Sequence, residues 1–179
     1  MKNQIQKSPK MSKNLILTGM MGVGKSTIGK ILAKKLKYKF FDVDKLIESK
    51  ENMSIDLIFK IKDEKYFRKI EKEITLQVLK RNNSVISLGG GAFLNKSIRE
   101  ESKKNSVSFW LDVEIDELTK RLKRTKKRPL LLKKNINVTI REIFLKRKKF
   151  YNEADFRIKC GSLKSIEIAK EILNKYGNK

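Results

Sequence analysis

The chain contains no histidine and a single cysteine, Cys160. Without an imidazole, Ser-His-Asp and Cys-His nucleophile schemes and every histidine-ligated metal site are excluded. One cysteine excludes a disulfide framework and a four-cysteine zinc site. Cys160 itself reads as an ordinary small residue near a strand end. No apolar run approaches the ~18 residues that a membrane span needs. Residues 1–13 lack the apolar stretch of a signal peptide. A cytoplasmic protein with no membrane contact is expected. Acids are scarce too: 20 Asp and Glu stand against 44 Lys and Arg, a net charge of +24. Of these cations 35 are Lys, spread along the chain, which mostly describes a solvated surface. Only 119–149 is dense, with 14 basic residues against the single acid Glu142. Such density suits a nucleic acid, or a polyanionic small molecule such as a nucleotide. No base-stacking aromatics are interleaved there, since Phe144 and Phe150 fall at helix-core spacing, which weakens the single-strand reading.

The 179 residues suit one domain. Residues 1–13 are expected to form a disordered basic tail, and 14–176 a single domain. Short apolar runs predict strands at 14–18, 39–43, 84–88, 106–111 and 156–158. Helical spacing predicts helices at 26–36, from Ser54, at 63–79, 95–104, 114–123, 137–151 and 163–176. Residues 124–135 read as irregular and basic. Strands alternating with helices give an α/β domain with a parallel sheet. Ligands of such sheets lie beyond the carboxyl ends of the strands, where the glycine clusters and aspartates of this chain fall.

Gly19-Met20-Met21-Gly22-Val23-Gly24-Lys25-Ser26 fits the phosphate-loop pattern G-x-x-x-x-G-K-[ST]. The glycines let the backbone turn its N–H groups toward a phosphate, and the following helix adds its positive end. Lys25 then reaches the phosphates, and the Ser26 hydroxyl is a candidate Mg²⁺ ligand. Asp42 and Asp44 close the second predicted strand. On an extended chain, side chains two residues apart point the same way. One carboxylate would hold Mg²⁺ through water and the other would address a substrate hydroxyl. The alternative is a helix N-cap at Asp44 with Asp42 as a loop acid. No aspartate ends the third strand, which makes Asp42 the better candidate for the metal. Arg68 and Glu71, three apart, can pair on one helix face, either as part of a site or as a solvated surface pair. Gly89-Gly90-Gly91 offers unhindered backbone for close approach of a ligand, or else a tight turn into the next helix.

Taken in order, several segments resemble shikimate kinases. They are Gly19 to Thr27; Phe41-Asp42-x-Asp44 with Ile47-Glu48; Phe67-Arg68-x-x-Glu71; Leu88-Gly89-Gly90-Gly91-Ala92; Arg128-Pro129-Leu130-Leu131; and Arg147-x-x-x-Tyr151 with Glu153-Ala154-Asp155. The likeness covers about residues 13–175. It implies a P-loop three-layer sandwich with a five-stranded parallel sheet, flanking helices and a mobile lid at about 122–135. The implied reaction moves the ATP γ-phosphoryl to the 3-hydroxyl of shikimate, a step toward chorismate and the aromatic amino acids. Under that likeness Gly22, Val23, Gly24, Lys25, Ser26 and Thr27 bind ATP, and Ser26 and Asp42 serve Mg²⁺. Asp44 addresses the reacting hydroxyl. Arg68 and Arg147 clamp the shikimate carboxylate beside Gly89, Gly90 and Gly91, with Glu71 bracing Arg68 and Phe59 and Phe67 walling the pocket. Arg128 swings onto the phosphates from the lid, and Arg121, with Arg124 second, stacks on adenine. A monomer is expected. The alternatives are a related kinase for gluconate or a nucleoside monophosphate, and a basic nucleic-acid-binding protein with a vestigial phosphate loop.

Overall fold

The first strand, β1 (Asn14–Thr18), is buried along its whole length. Such an unbroken apolar strand belongs at the centre of a sheet covered on both faces, and the computed structural model places it there. It describes residues 13–123, 136–161 and 163–177. β2 (Lys39–Asp42), β3 (Ser84–Ser87), β4 (Ser106–Asp112) and β5 (Phe156–Lys159) complete an all-parallel sheet in the order β2-β3-β1-β4-β5. Leu15 is registered with Val85 on one side and Val107 on the other.

The helices are α1 (Lys25–Leu36), α2 (Val43–Glu51), α3 (Ile55–Ile61), α4 (Glu64–Leu79), α5 (Lys96–Asn105), α6 (Ile115–Lys123), α7 (Ile136–Tyr151) and α8 (Ser165–Gly177). Parallel crossovers are right-handed, and that rule sorts the layers. The chain steps one way along the sheet through α1, and the opposite way through α4 and α5. α1 therefore covers one face, packed with α8, and α4 with α5 covers the other. The expected three-layer α/β sandwich is the observed one.

The centre of the sheet is tied to its surroundings by a buried polar residue. Asn14 is 0 % exposed. Its amide donates to Leu79 O at 3.2 Å and Arg81 O at 2.5 Å, and its Oδ1 accepts from Ser84 N at 3.0 Å. The end of α4 and the start of β3 are thereby fixed to the first residue of β1.

The predicted elements lie within a residue or two of the observed ones, with one correction. The second strand stops at Asp42, and Val43 opens helix α2, which is absent from the predicted elements and entered only through the alternative of a cap at Asp44. Asp42 is its N-cap, with Oδ1 accepting from Lys45 N at 3.4 Å. A short carboxylate that satisfies an amide of the first turn ends extended structure at that point. Asp42 and Asp44 are thus not an extended pair, and the cap is Asp42 rather than Asp44. Ser54 caps α3 as expected. Trp110 and Cys160 are fully enclosed, at 1 % and 0 % exposure. The basic tail up to residue 12 and the lid segment 124–135, with Arg124 and Arg128, lie outside the described residues.

Candidate active site

The turn after β1 carries the phosphate loop. Gly22 and Gly24 take φ of +81° and +96°, a region that side chains with a Cβ disfavour. No side chain caps α1, and no acid sits in its first turn. The amide donors of that helix end therefore remain for an anion. Lys25 folds back along the loop, with Nζ donating to Gly19 O and Met20 O, both at 2.9 Å. Held this way, its charge lies inside the curl of the loop.

A cleft of about 580 Å³ runs from this loop over the carboxyl ends of β2 and β3. Gly22, Gly24, Lys25, Ser26 and Thr27 line one part of it. Asp42, Asp44, Phe59, Phe67, Arg68, Glu71, Gly90, Gly91 and Arg147 line the rest. Val23, which is buried in the core, Gly89 and Arg121 are not among the lining residues. Arg121 sits on α6 and pairs with Glu117 at 3.0 Å.

Beyond the phosphate loop the site is a network of buried charge. Glu71, on α4, is 3 % exposed and meets Arg68 Nη1 at 2.7 Å. It is therefore no solvated surface pair. Burial raises the Glu71 carboxyl above its ordinary range, and Arg68 only partly offsets this. Burial pulls the Arg68 guanidinium down, but Glu71 and Glu64 outweigh it and leave the group held upward. Phe59 and Phe67 form a wall, with ring centroids 4.8 Å apart.

The triple glycine lies where these groups converge. A Cβ on Gly89 would collide with Glu71 Oε1 and come 2.7 Å from Asp44 Oδ1. A Cβ on Gly91 would overlap the Arg68 guanidinium, 2.8 Å from its Cζ. The same glycines also turn the chain: Ala92 N donates to Gly89 O and Leu94 N to Gly91 O, both at 3.1 Å. The turn reading holds, and the close approach seen is that of the Glu71, Asp44 and Arg68 side chains. From α7, Arg147 Nη1 donates to Gly90 O at 2.9 Å.

At the mouth of the phosphate loop, Ser26 Oγ donates to Asp42 Oδ2 at 2.5 Å. Hard oxygen donors of this kind suit Mg²⁺. Among the described residues no three acids or cysteines gather to hold a metal unaided. An ion here would complete its shell with water and phosphate, as Mg²⁺ usually does.

Lys45, Ser54, Ile55, Asp56 and Ser87, given no site role from the sequence, also line the cleft, as do Met21, Glu48 and Leu88, which were quoted only as parts of motifs. Lys45, one turn along α2 from the Asp42 cap, could have been found had that helix been recognised. Met21 and Leu88 follow from their places in the phosphate loop and beside the triple glycine, whereas Ser54, Ile55, Asp56 and Ser87 reach the cleft through tertiary packing.

The shikimate kinase family model matches residues 21–176. The chain belongs to the shikimate kinase family. Members of this family are ATP-dependent kinases that phosphorylate an alcohol group of shikimate, and this is the activity of the chain. It is 44 % identical over 163 residues to a shikimate kinase of Sulfurihydrogenibium sp. (strain YO3AOP1), covering 91 % of this chain and 97 % of that one. It is 42 % identical to that of Persephonella marina, covering 91 % and 98 %. The solved shikimate kinase of Acinetobacter baumannii in complex with shikimate superposes with a TM-score of 0.89 at 30 % identity, covering 93 % of each chain. Among the described residues, no helix is long and apolar enough to cross a membrane.

Proposed function

We propose that the chain transfers the ATP γ-phosphoryl to the 3-hydroxyl of shikimate, with 14–176 acting as one unit, as a monomer in the cytoplasm. One observation carries this reading. Lys25, Asp44, Arg68 and Arg147 come from four separate elements and line a single cleft beside an uncapped helix end. Phosphoryl transfer asks mainly for positioning and for stabilisation of charge on the equatorial oxygens. Lys25 and the loop amides meet the phosphates, and Arg128 adds a further cation from the segment 122–135. Arg121, with Arg124 second, takes the adenine.

The acceptor is a hydroxylated ring acid, and the opposite end of the cleft complements it. Arg68 and Arg147 meet its carboxylate, with Gly89, Gly90 and Gly91 alongside. Planar guanidinium forks suit a carboxylate in pairs. Glu71 braces Arg68, and Phe59 and Phe67 wall the ring. Asp44 accepts a hydrogen bond from the reacting hydroxyl and takes its proton as the bond to phosphorus forms. Ser26, and Asp42 through water, would hold Mg²⁺, which when bound neutralises charge on the β- and γ-phosphates.

The test is a coupled ADP assay with shikimate, gluconate and nucleoside monophosphates as acceptors, run on wild type and Asp44→Asn. Shikimate alone supports turnover by the wild type. Asp44→Asn loses at least about a hundredfold in kcat, within the usual range for general-base catalysis, and still binds ATP. An undiminished variant removes Asp44 from the chemistry.

A further inference from the structure

The roles above use Arg147 of α7 but leave unassigned Tyr151, one turn further along. Tyr151 is 0 % exposed. Its hydroxyl donates to Gly90 O at 2.5 Å and lies 3.8 Å from Met20 Sδ in the phosphate loop. Arg147 Nη1 donates to the same carbonyl oxygen at 2.9 Å. The Tyr151 ring rests against Trp110 of β4, with centroids 5.8 Å apart. Residues four apart share a helix face, so one face of α7 holds the Gly90 peptide twice. The two loops also touch there, since a Cβ on Gly90 would come 3.3 Å from Met21 N and 3.2 Å from Arg147 Nη1. Tyr151 therefore stands at the junction of the acceptor loop, the phosphate loop and the carboxylate clamp.

We propose that Tyr151 is a positioning residue for the transfer. Its hydroxyl locks the Gly90 peptide, and through it the Arg147 guanidinium, at one spacing from the phosphate loop. The proposal rests on the reading of the cleft given above. Packing alone does not call for the hydroxyl: phenylalanine would fill the same space against Trp110 and Met20. A buried hydroxyl costs free energy unless it is bonded, and this one spends its proton on a carbonyl that Arg147 already satisfies. What the second bond adds is direction. With two donors on one acceptor, neither the Gly90 peptide nor the guanidinium can rotate without breaking a bond. Burial also pushes the Tyr151 phenol above its ordinary range, so it remains a donor through neutral and mildly alkaline pH. Alignment of this kind acts on substrate binding and on rate, beyond its effect on folding.

Tyr151→Phe in the full chain removes the hydroxyl and keeps the ring. The control is Ile172→Val, which trims the core beneath α8 away from the cleft. Tyr151→Phe should raise the shikimate KM about five- to tenfold, the loss expected for one hydrogen bond. Its ATP KM should stay within about twofold of wild type, because the uncapped end of α1 is intact. Ile172→Val should lower the thermal midpoint and leave both KM values alone. A Tyr151→Phe enzyme with wild-type shikimate KM, or with equal rises in both KM values, overturns the proposal. So does a loss confined to the thermal midpoint, as in the control. A wild-type chain inactive on shikimate overturns the reading of the cleft, and this proposal with it.

Discussion

Gly91→Ala adds one methyl group where the structure has no space for it. The Gly91 backbone, at φ −106° and ψ −12°, accepts alanine without strain, so the effect is steric. The new Cβ would overlap Arg68 Nη1 and lie 2.8 Å from Cζ. Ordinary contact starts near 3.4 Å, so the guanidinium must retreat by roughly 1 Å, a distance comparable to the slack of a hydrogen bond. Arg68 is 31 % exposed and can move outward, whereas Glu71 at 3 % exposure cannot follow. The 2.7 Å bond between them breaks. The displaced atoms are the end of a flexible side chain, so the clash itself costs little. The expected loss of stability is that of a hydrogen bond between charged groups, about 1.5–3 kcal/mol. The acceptor clamp loses one guanidinium at the same time. At 1.4 kcal/mol per decade, the shikimate KM should rise about tenfold to a hundredfold, with the ATP KM little changed. Urea denaturation and the coupled assay with each substrate varied measure both quantities. A variant with wild-type midpoint and wild-type shikimate KM would refute the argument from close approach. Equal rises in both KM values would refute the assignment of Arg68 to the acceptor.

Two further predictions concern the rest of the fold. Asn14→Ala removes three hydrogen bonds and leaves the buried Ser84 amide without its partner. It should cost about 2–4 kcal/mol in urea denaturation with kcat of the folded protein unchanged, because Asn14 lies at the end of the sheet away from the cleft. Burial, reinforced by the negative charge of Asp112, pushes the Cys160 thiol from 9.0 up to about 12. At pH 8 it should resist iodoacetamide in the native state and label once on unfolding; fast native labelling contradicts this. The folded state holds that proton more tightly than the unfolded chain. The stability it contributes is therefore complete below pH 9.0 and falls away as pH rises toward 12.

The sheet was legible because each strand announces itself locally. Leu15-Ile16-Leu17 and Val85-Ile86 are short, apolar and closed by glycine or polar residues. Their parallel pairing then followed from the helices between them. Helix α2 stood only as the alternative, with its cap two residues late at Asp44, because Phe41 and Val43 extend a β-prone run across Asp42. The decision to leave the strand at Asp42 is made by one side-chain bond to Lys45 N. Arg68 and Glu71 were visible as a pair at helical spacing. Their burial was not, because it depends on Gly89 and Gly91, further along the chain, offering no side chain. Tyr151 was visible as a tyrosine one turn from Arg147. Nothing in the chain announced that both would meet Gly90, 57 and 61 residues distant.

The sequence alone determined the phosphate loop. Nine contiguous residues, Gly19 to Thr27, carry the turn, the donors and the lysine, and their geometry is set by backbone preferences within that stretch. It also determined the alternation of strands and helices, and with it the sheet. Only the tertiary structure decided that Asp44, Glu71, Arg68 and Arg147 face one cleft, and which carbonyl Tyr151 holds. Gly89, Gly90 and Gly91 reach these side chains only when loops of many residues close, which no local backbone preference dictates.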